Sequence, residues 1–471
     1  MVFSSTIFLF LFLPITLLGY YLLNPSYRNV FLLIVSLAFY AWGEPKFVAV
    51  LVMSIMANYV FGLLVDRYRN KIWSKIILGI MVIFNLTIFF YNKYLDFAIV
   101  NINAILGREV LSLRNIALPI GISFFTFQAM SYVIDVYRNN GRVQKNPLNV
   151  GLYITFFPQL IAGPIVRYET VAEEIVSRKE SVDDFSDGTQ RFICGLAKKV
   201  ILANNLATIA DYIYATENYG TLTIAAAWLG SIAYMLQIYF DFSGYSDMAI
   251  GLGKMFGFHF NENFNYPYTA DSITDFWRRW HISLSTWFRD YVYILLGGSR
   301  CSKLKAYRNL ACVWLLTGIW HGASWNFVLW GVMYLVLLVV EKSTQIHVKA
   351  KSNRIISALY RLYTLLCVNF AWVLFRTTNI SGAISYIKAM LGFNHNSFTD
   401  FMSGYLWRDA IVLLIASVVL CIPIKRIIES KLKNMPLLLS GIRVVFSMML
   451  FVLCVSYIVR TSYDPFIYFN F

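Results

Sequence analysis

The uncharged stretch NLACVWLLTGIWHGASWNFVLWGVMYLVLLVV, Asn309 to Val340, decides how this chain must be built. Arg308 precedes it, and Glu341, Lys342, Lys349, Lys351 and Arg354 follow, so the positive-inside rule puts both ends in the cytoplasm. The number of full crossings is then even, yet the stretch is too short for two spans of roughly 20 residues each. A helix pair that turns inside the protein satisfies both conditions, with breaks at Gly318 and Gly322 and His321 near the apex. One tilted helix with an interfacial end is the alternative geometry. Irregular backbone at membrane depth survives only against protein or a water-filled cavity, and an ionisable ring held there is a functional candidate by default.

The rest of the chain agrees with a membrane setting. Of 471 residues, 58% are hydrophobic and 14% are charged, against about 25% charged in ordinary soluble proteins. Uncharged windows at 1–27, 29–43, 47–65, 76–92, 115–134, 146–166, 218–240, 309–340, 362–375, 410–424 and 444–459 predict about eleven transmembrane helices in an all-α, multi-pass protein. Basic clusters at Arg67 to Lys75 and Arg138 to Lys145 lie inside, which puts the N-terminus outside, and the group Lys425, Arg426, Lys431 and Lys433, also inside, puts the C-terminus outside. No basic residue precedes the apolar stretch that starts near Ile7, so the first window reads as a retained span and not a cleaved leader. Gly188 to Tyr214 alternates apolar and basic positions and is expected to be a helix at the headgroup boundary. Without linkers or repeats, residues 1–471 form a single domain. The net charge of +15 sits in short loops between spans, where it sets topology and meets anionic lipid, so nucleic acid is not a partner.

Chemistry concentrates in DSITDFWRRWHISLSTWFRDYVYILLGGSR, Asp271 to Arg300, the least lipid-like part of the sequence. Its guanidinium forks and aromatic faces suit a phosphate- and adenine-bearing molecule such as coenzyme A, with Arg278, Arg279 and Arg289 as candidates for its phosphates. Anchoring of an interfacial helix is the alternative for the same residues. His281, Ser285 and Arg289 stand at i, i+4 and i+8, which lines them along one helical face. Transfer of an acyl group from a thioester to a hydroxyl needs a base near neutral pH, and imidazole has the pKa for it. His321 has that chemistry and a membrane depth; His259, His347 and His395 lack the setting. Asp241, Asp247 and Asp290 read as structural, capping helix ends or pairing with arginines. Six scattered cysteines form no CxxC pair, so neither disulfides nor a metal site is expected, and no GxSxG or Walker A motif occurs.

At these residues the sequence resembles the membrane-bound O-acyltransferases, in the branch that O-acetylates alginate. The segments that carry the likeness are MVFSSTIFLFLFLP at the start, LPIGISFFTFQAMSYVIDVYR from Leu118, FFPQLIAGPIVRY from Phe156, YFDFSGYSDMAIGLGKMFGF from Tyr239, DFWRRWHISLSTWFRDYVYILLGGSR from Asp275 and GIWHGASWNFVLWG from Gly318. The resemblance implies a multi-helix barrel with re-entrant and interfacial helices around a central funnel. His321 of the WHG motif would be catalytic at its neck, and His281 a second important position on the cytoplasmic side. It also implies acetyl-CoA as donor, no permanently bound cofactor, and a cell-envelope polysaccharide or an extracytoplasmic lipase-like acetyltransferase as acceptor. The location would be the inner (plasma) membrane. Leu295 replaces the proline usual in that branch, which touches local loop geometry only.

Two other functions fit the same composition and topology. D-alanyl transfer to teichoic acid would use the same histidines with a different donor. A transporter or flippase would want ion-coupling carboxylates inside the spans, and the uncharged windows contain no Asp or Glu.

Overall fold

The computed structural model describes residues 1–350 and 353–460, among which every regular element is a helix. Lys351, used above to orient the chain, and its far end fall outside them. Seven helices are long and apolar enough to cross a membrane: Pro45–Arg67, Ile72–Lys93, Val182–Tyr214, Trp325–Thr344, Arg354–Arg376, Phe401–Leu420 and Pro436–Arg460. Two shorter apolar helices, Phe8–Leu22 and Leu95–Leu106, accompany them. The multi-pass, all-α class therefore holds, while the windows at 115–134 and 146–166 give only the short helices Ile122–Arg138, Pro147–Thr155 and Phe157–Leu160. The last break is local chemistry, because Pro158 supplies no backbone N–H and favours the first turn of a new helix.

By contact clustering the chain divides into two units, Met1–Ile193 with Tyr245–Asn261, and Cys194–Gly244 with Glu262–Phe471. In the first, Ile122–Arg138 is buried along nearly its whole length. Gly62 makes room for it, since a Cβ there would lie 2.5 Å from the Tyr132 ring. Asn58 and Asn85, both fully buried, exchange hydrogen bonds of 3.0 and 2.9 Å between two neighbouring helices. Each amide gives a further N–H to the carbonyl one turn back, Ser54 at 2.8 Å and Met81 at 2.9 Å. Paired amides of this kind hold helices together where lipid removes the hydrophobic driving force.

Gly188 to Tyr214 does not form a separate surface helix. It belongs to Val182–Tyr214, which is long and apolar enough to span. One of its charges is hidden: in the second unit Lys199 meets Asp241 at 2.8 Å, with side chains 4% and 2% exposed. A buried cation of this sort is tolerable only when paired, and nothing in the sequence window shows its partner. Of the two roles expected for these aspartates, pairing holds, with an arginine for Asp247 and a lysine for Asp241, and helix-end capping does not. Asp241 and Asp247 lie inside the helix Ile224–Met255, and Asp247 pairs with Arg191 at 2.8 Å.

Candidate active site

The second unit contains the hairpin foreseen for residues 309–340, as Lys303–His321 followed by Trp325–Thr344. The chain turns at Gly322, whose backbone is extended, and the Ser324 side chain caps the second helix by accepting from the Asn326 N–H at 3.3 Å. Gly318 does not break the first helix. Its role is close approach: a Cβ there would stand 2.5 Å from the Phe327 carbonyl oxygen, and one on Gly331 would stand 2.5 Å from that of Trp314. Both helices also extend past the uncharged stretch, through Lys303 to Arg308 at one end and Glu341 to Thr344 at the other. At 1.5 Å per residue, the first helix carries His321 about 18 Å beyond Asn309.

His321 is the last residue of its helix and is 7% exposed. Trp330, from the returning helix, meets its ring edge to face at 4.9 Å, and Phe375 of Arg354–Arg376 does so at 5.1 Å. Trp320 approaches it at 5.0 Å and also lies 5.9 Å from the ring of His281. The structure thus brings together the two histidines singled out in the sequence, around one indole. A second aromatic route joins the same segments, from Trp280 to Trp372 at 4.9 Å, then Trp330 at 6.2 Å, then His321.

His281 is not on the helical face expected for it. It precedes the helix Ile282–Phe288 in a left-handed conformation, φ +44°, while Arg289 opens a π-helical turn. Such a backbone costs on the order of 1–3 kcal/mol in a residue other than glycine. Flanking hydrogen bonds hold it: Asn265 N–H to the Arg279 carbonyl and Ile282 N–H to the Asn263 carbonyl, both 2.9 Å. The buried Asn263 side chain supplies the rest. Its Oδ1 accepts from the Ser283 backbone N–H at 3.2 Å, which identifies that atom as the oxygen, and stands 3.1 Å from His281 Nδ1. Nδ1 must therefore carry the proton, leaving Nε2 as a lone pair. That lone pair is buried and has no hydrogen-bond partner among the described residues. Burial also pushes the pKa of His281 down, to about 3, so the ring is neutral.

The three arginines differ. Arg279 is engaged by Asp275 at 3.0 Å and by the Thr269 hydroxyl at 3.2 Å. Arg289 is held by its neighbour Asp290 through bonds of 2.7 and 3.0 Å. Arg278 is exposed and makes no ion pair or hydrogen bond among the described residues.

Two residues of this arrangement escaped the sequence reading. Asn263 lies 18 residues from His281, in a loop without a motif. Glu341 counted only as a charge beyond the apolar stretch, yet it is buried and bonded to Ile273 and Thr274. Among the described residues, no group of three or more His, Cys, Asp or Glu side chains is placed to hold a metal ion.

Comparison with known proteins places this geometry in context. The model of the membrane-bound O-acyltransferase family matches residues 138–398. A probable alginate O-acetylase of Pseudomonas syringae pv. tomato is 46% identical over 399 residues, covering 83% of this chain and 76% of that protein. That of Azotobacter vinelandii is 43% identical over 429 residues, 90% of this chain and 84% of its own length. A peptidoglycan O-acetyltransferase of Helicobacter pylori is 36% identical over 426 residues, 84% and 80% of the two chains.

Proposed function

The chain belongs to the membrane-bound O-acyltransferase family, and from that premise we propose that it uses cytoplasmic acetyl-CoA to O-acetylate a cell-envelope polysaccharide. That it is a multi-pass membrane O-acyltransferase follows from the family and its relatives. The relatives named for alginate and for peptidoglycan differ in polymer and agree in the acetyl group. This agreement favours acetyl over D-alanyl transfer here and leaves the polymer to experiment. We place the protein in the inner membrane, acting over its full length as one domain.

The observation that carries the reading is the position of His321, at the apex of a hairpin whose other end bears the cationic segments. In the proposed reaction its imidazole takes the proton from an acceptor hydroxyl as the oxygen attacks the thioester carbonyl. The carbon–sulfur bond breaks, an ester forms, and the proton passes to the leaving thiolate, returning the ring to its neutral form. The donor enters beside Arg278, Arg279 and Arg289, and Arg278 is the one whose guanidinium is open to a phosphate. His281, neutral and fixed in one tautomer, orients the Trp320 side of the site. The acceptor arrives from outside, as polymer or through a secreted lipase-like acetyltransferase.

The test is acetyl transfer by purified protein from labelled acetyl-CoA to envelope polysaccharide. His321→Ala should lower transfer by about 10²–10⁴-fold, the usual contribution of a general base, with folding and insertion intact. Unchanged transfer would remove the assignment.

A further inference from the structure

We propose that Glu341 is a positioning residue, which aligns the segment bearing Arg278 and His281 against the hairpin bearing His321. The inference rests on the reading just given. Ile273–Arg279 has seven residues, too few to be stable as a helix in isolation. Its start nevertheless has its first backbone donors satisfied. The Ile273 and Thr274 N–H groups donate to the two carboxylate oxygens of Glu341, at 3.0 and 3.1 Å, and the Asp275 N–H donates to the Ser272 hydroxyl at 3.1 Å. A local N-cap reaches only one of these donors, so the carboxylate, 67 and 68 residues further along the chain, supplies the others. Its negative charge also suits a helix N-terminus.

Glu341 is itself held firmly. It is 1% exposed, and the Tyr360 hydroxyl of Arg354–Arg376 donates to it at 3.1 Å. Arg361, one residue on, pairs with Asp271 at 2.6 Å, just before the short helix. The helix whose last turn holds Glu341 also carries Trp330, which touches His321. One rigid element therefore contacts His321 near its start and secures the Arg278–His281 segment at its end. Loss of the carboxylate frees the short helix and spoils the donor site while His321 stays in place.

The measurement is acetyl-CoA binding to purified protein carrying His321→Ala, so that no turnover intervenes, together with kcat and KM in the otherwise unaltered chain. Glu341→Gln should raise the donor Kd and KM about tenfold and leave the acceptor KM unchanged. Tyr360→Phe, which removes one of the three hydrogen bonds, should raise them about two- to threefold. Glu341→Asp, which retains the charge on a shorter arm, should fall between. If the variants melt earlier but bind donor as before, Glu341 is only a structural tie and the proposal is overturned. Should Glu341→Gln fail to fold, Tyr360→Phe and Glu341→Asp decide, and unchanged donor binding in both overturns it. Normal transfer by His321→Ala alone would instead overturn the proposed mechanism, independently of these results.

Discussion

His259 and His281 are the same side chain in opposite surroundings. In the first unit, His259 is about half exposed and lies between two carboxylates, Glu174 at 2.8 Å and Asp184 at 3.3 Å. Burial draws its pKa down, but the hydrogen bonds the ring donates to Glu174 and Asp184 outweigh it, and the net shift is upward. In the second unit, His281 is buried against an amide and is neutral. Carboxylate neighbours favour the protonated imidazole, whereas an amide neighbour fixes a tautomer and leaves a lone pair. The arginines repeat the contrast, with Arg289 tied to Asp290 and Arg278 open. Available chemistry thus lies where partners are few, and abundant ion pairing marks the scaffold.

The most direct way to break this contrast is to give His281 a carboxylate. Asn263→Asp should raise the pKa of the ring toward neutrality and protonate it at lower pH. Transfer should then acquire a second acidic limb besides the one set by the general base, and so rise more steeply with pH than in the unaltered protein, which a pH–rate profile reads. The substitution should also cost about 1–3 kcal/mol in stability, since a buried hydrogen-bond set is disturbed. A profile without the new limb would mean that the protonation of His281 is immaterial to the reaction.

The arginine contrast predicts a smaller effect. Arg278→Gln should raise the acetyl-CoA KM about tenfold, the loss of one charge-assisted contact. Arg289→Gln should change it less than threefold, because its guanidinium is already committed to Asp290. Equal effects would show that pairing does not govern which arginine meets the donor.

Smallest of all is the pH dependence at His259. Because its folded pKa is raised, its contribution to stability is complete below the unfolded value near 6.5 and fades as pH rises through the folded value. Thermal melts should therefore show a slight loss across that window. His259→Gln should flatten it without affecting transfer, and partial exposure of the pair keeps the effect modest.

Much of this was legible in the sequence, for physical reasons that vary with the residue. An uncharged run with both flanks on one side of the membrane favours a hairpin over one tilted helix, and His321 falls at its turn. The motif around Arg278 and His281 was visible as a concentration of chemistry, but its geometry was not. A helical face assigned by spacing assumes that the helix includes its first member, and the left-handed backbone of His281 starts the helix one residue later. Lys199 looked like a surface charge because Asp241 is 42 residues away in sequence. Asn263 and Glu341 were missed for the same reason: hydrogen bonds between distant segments leave no periodic trace. Gly318 was read as a helix breaker, although the glycine serves contact between helices and the backbone remains regular.

That contact bears on how the protein could be re-engineered. Where Gly318 and Gly331 meet, the two helices touch through main-chain atoms, so no rotamers exist there to accommodate a bulkier residue. A library seeking longer acyl groups gains nothing from diversifying those glycines, and each added methyl would force the hairpin apart. Trp330 and Phe375 offer a better starting point, since both border His321 and trimming either one would open volume beside it.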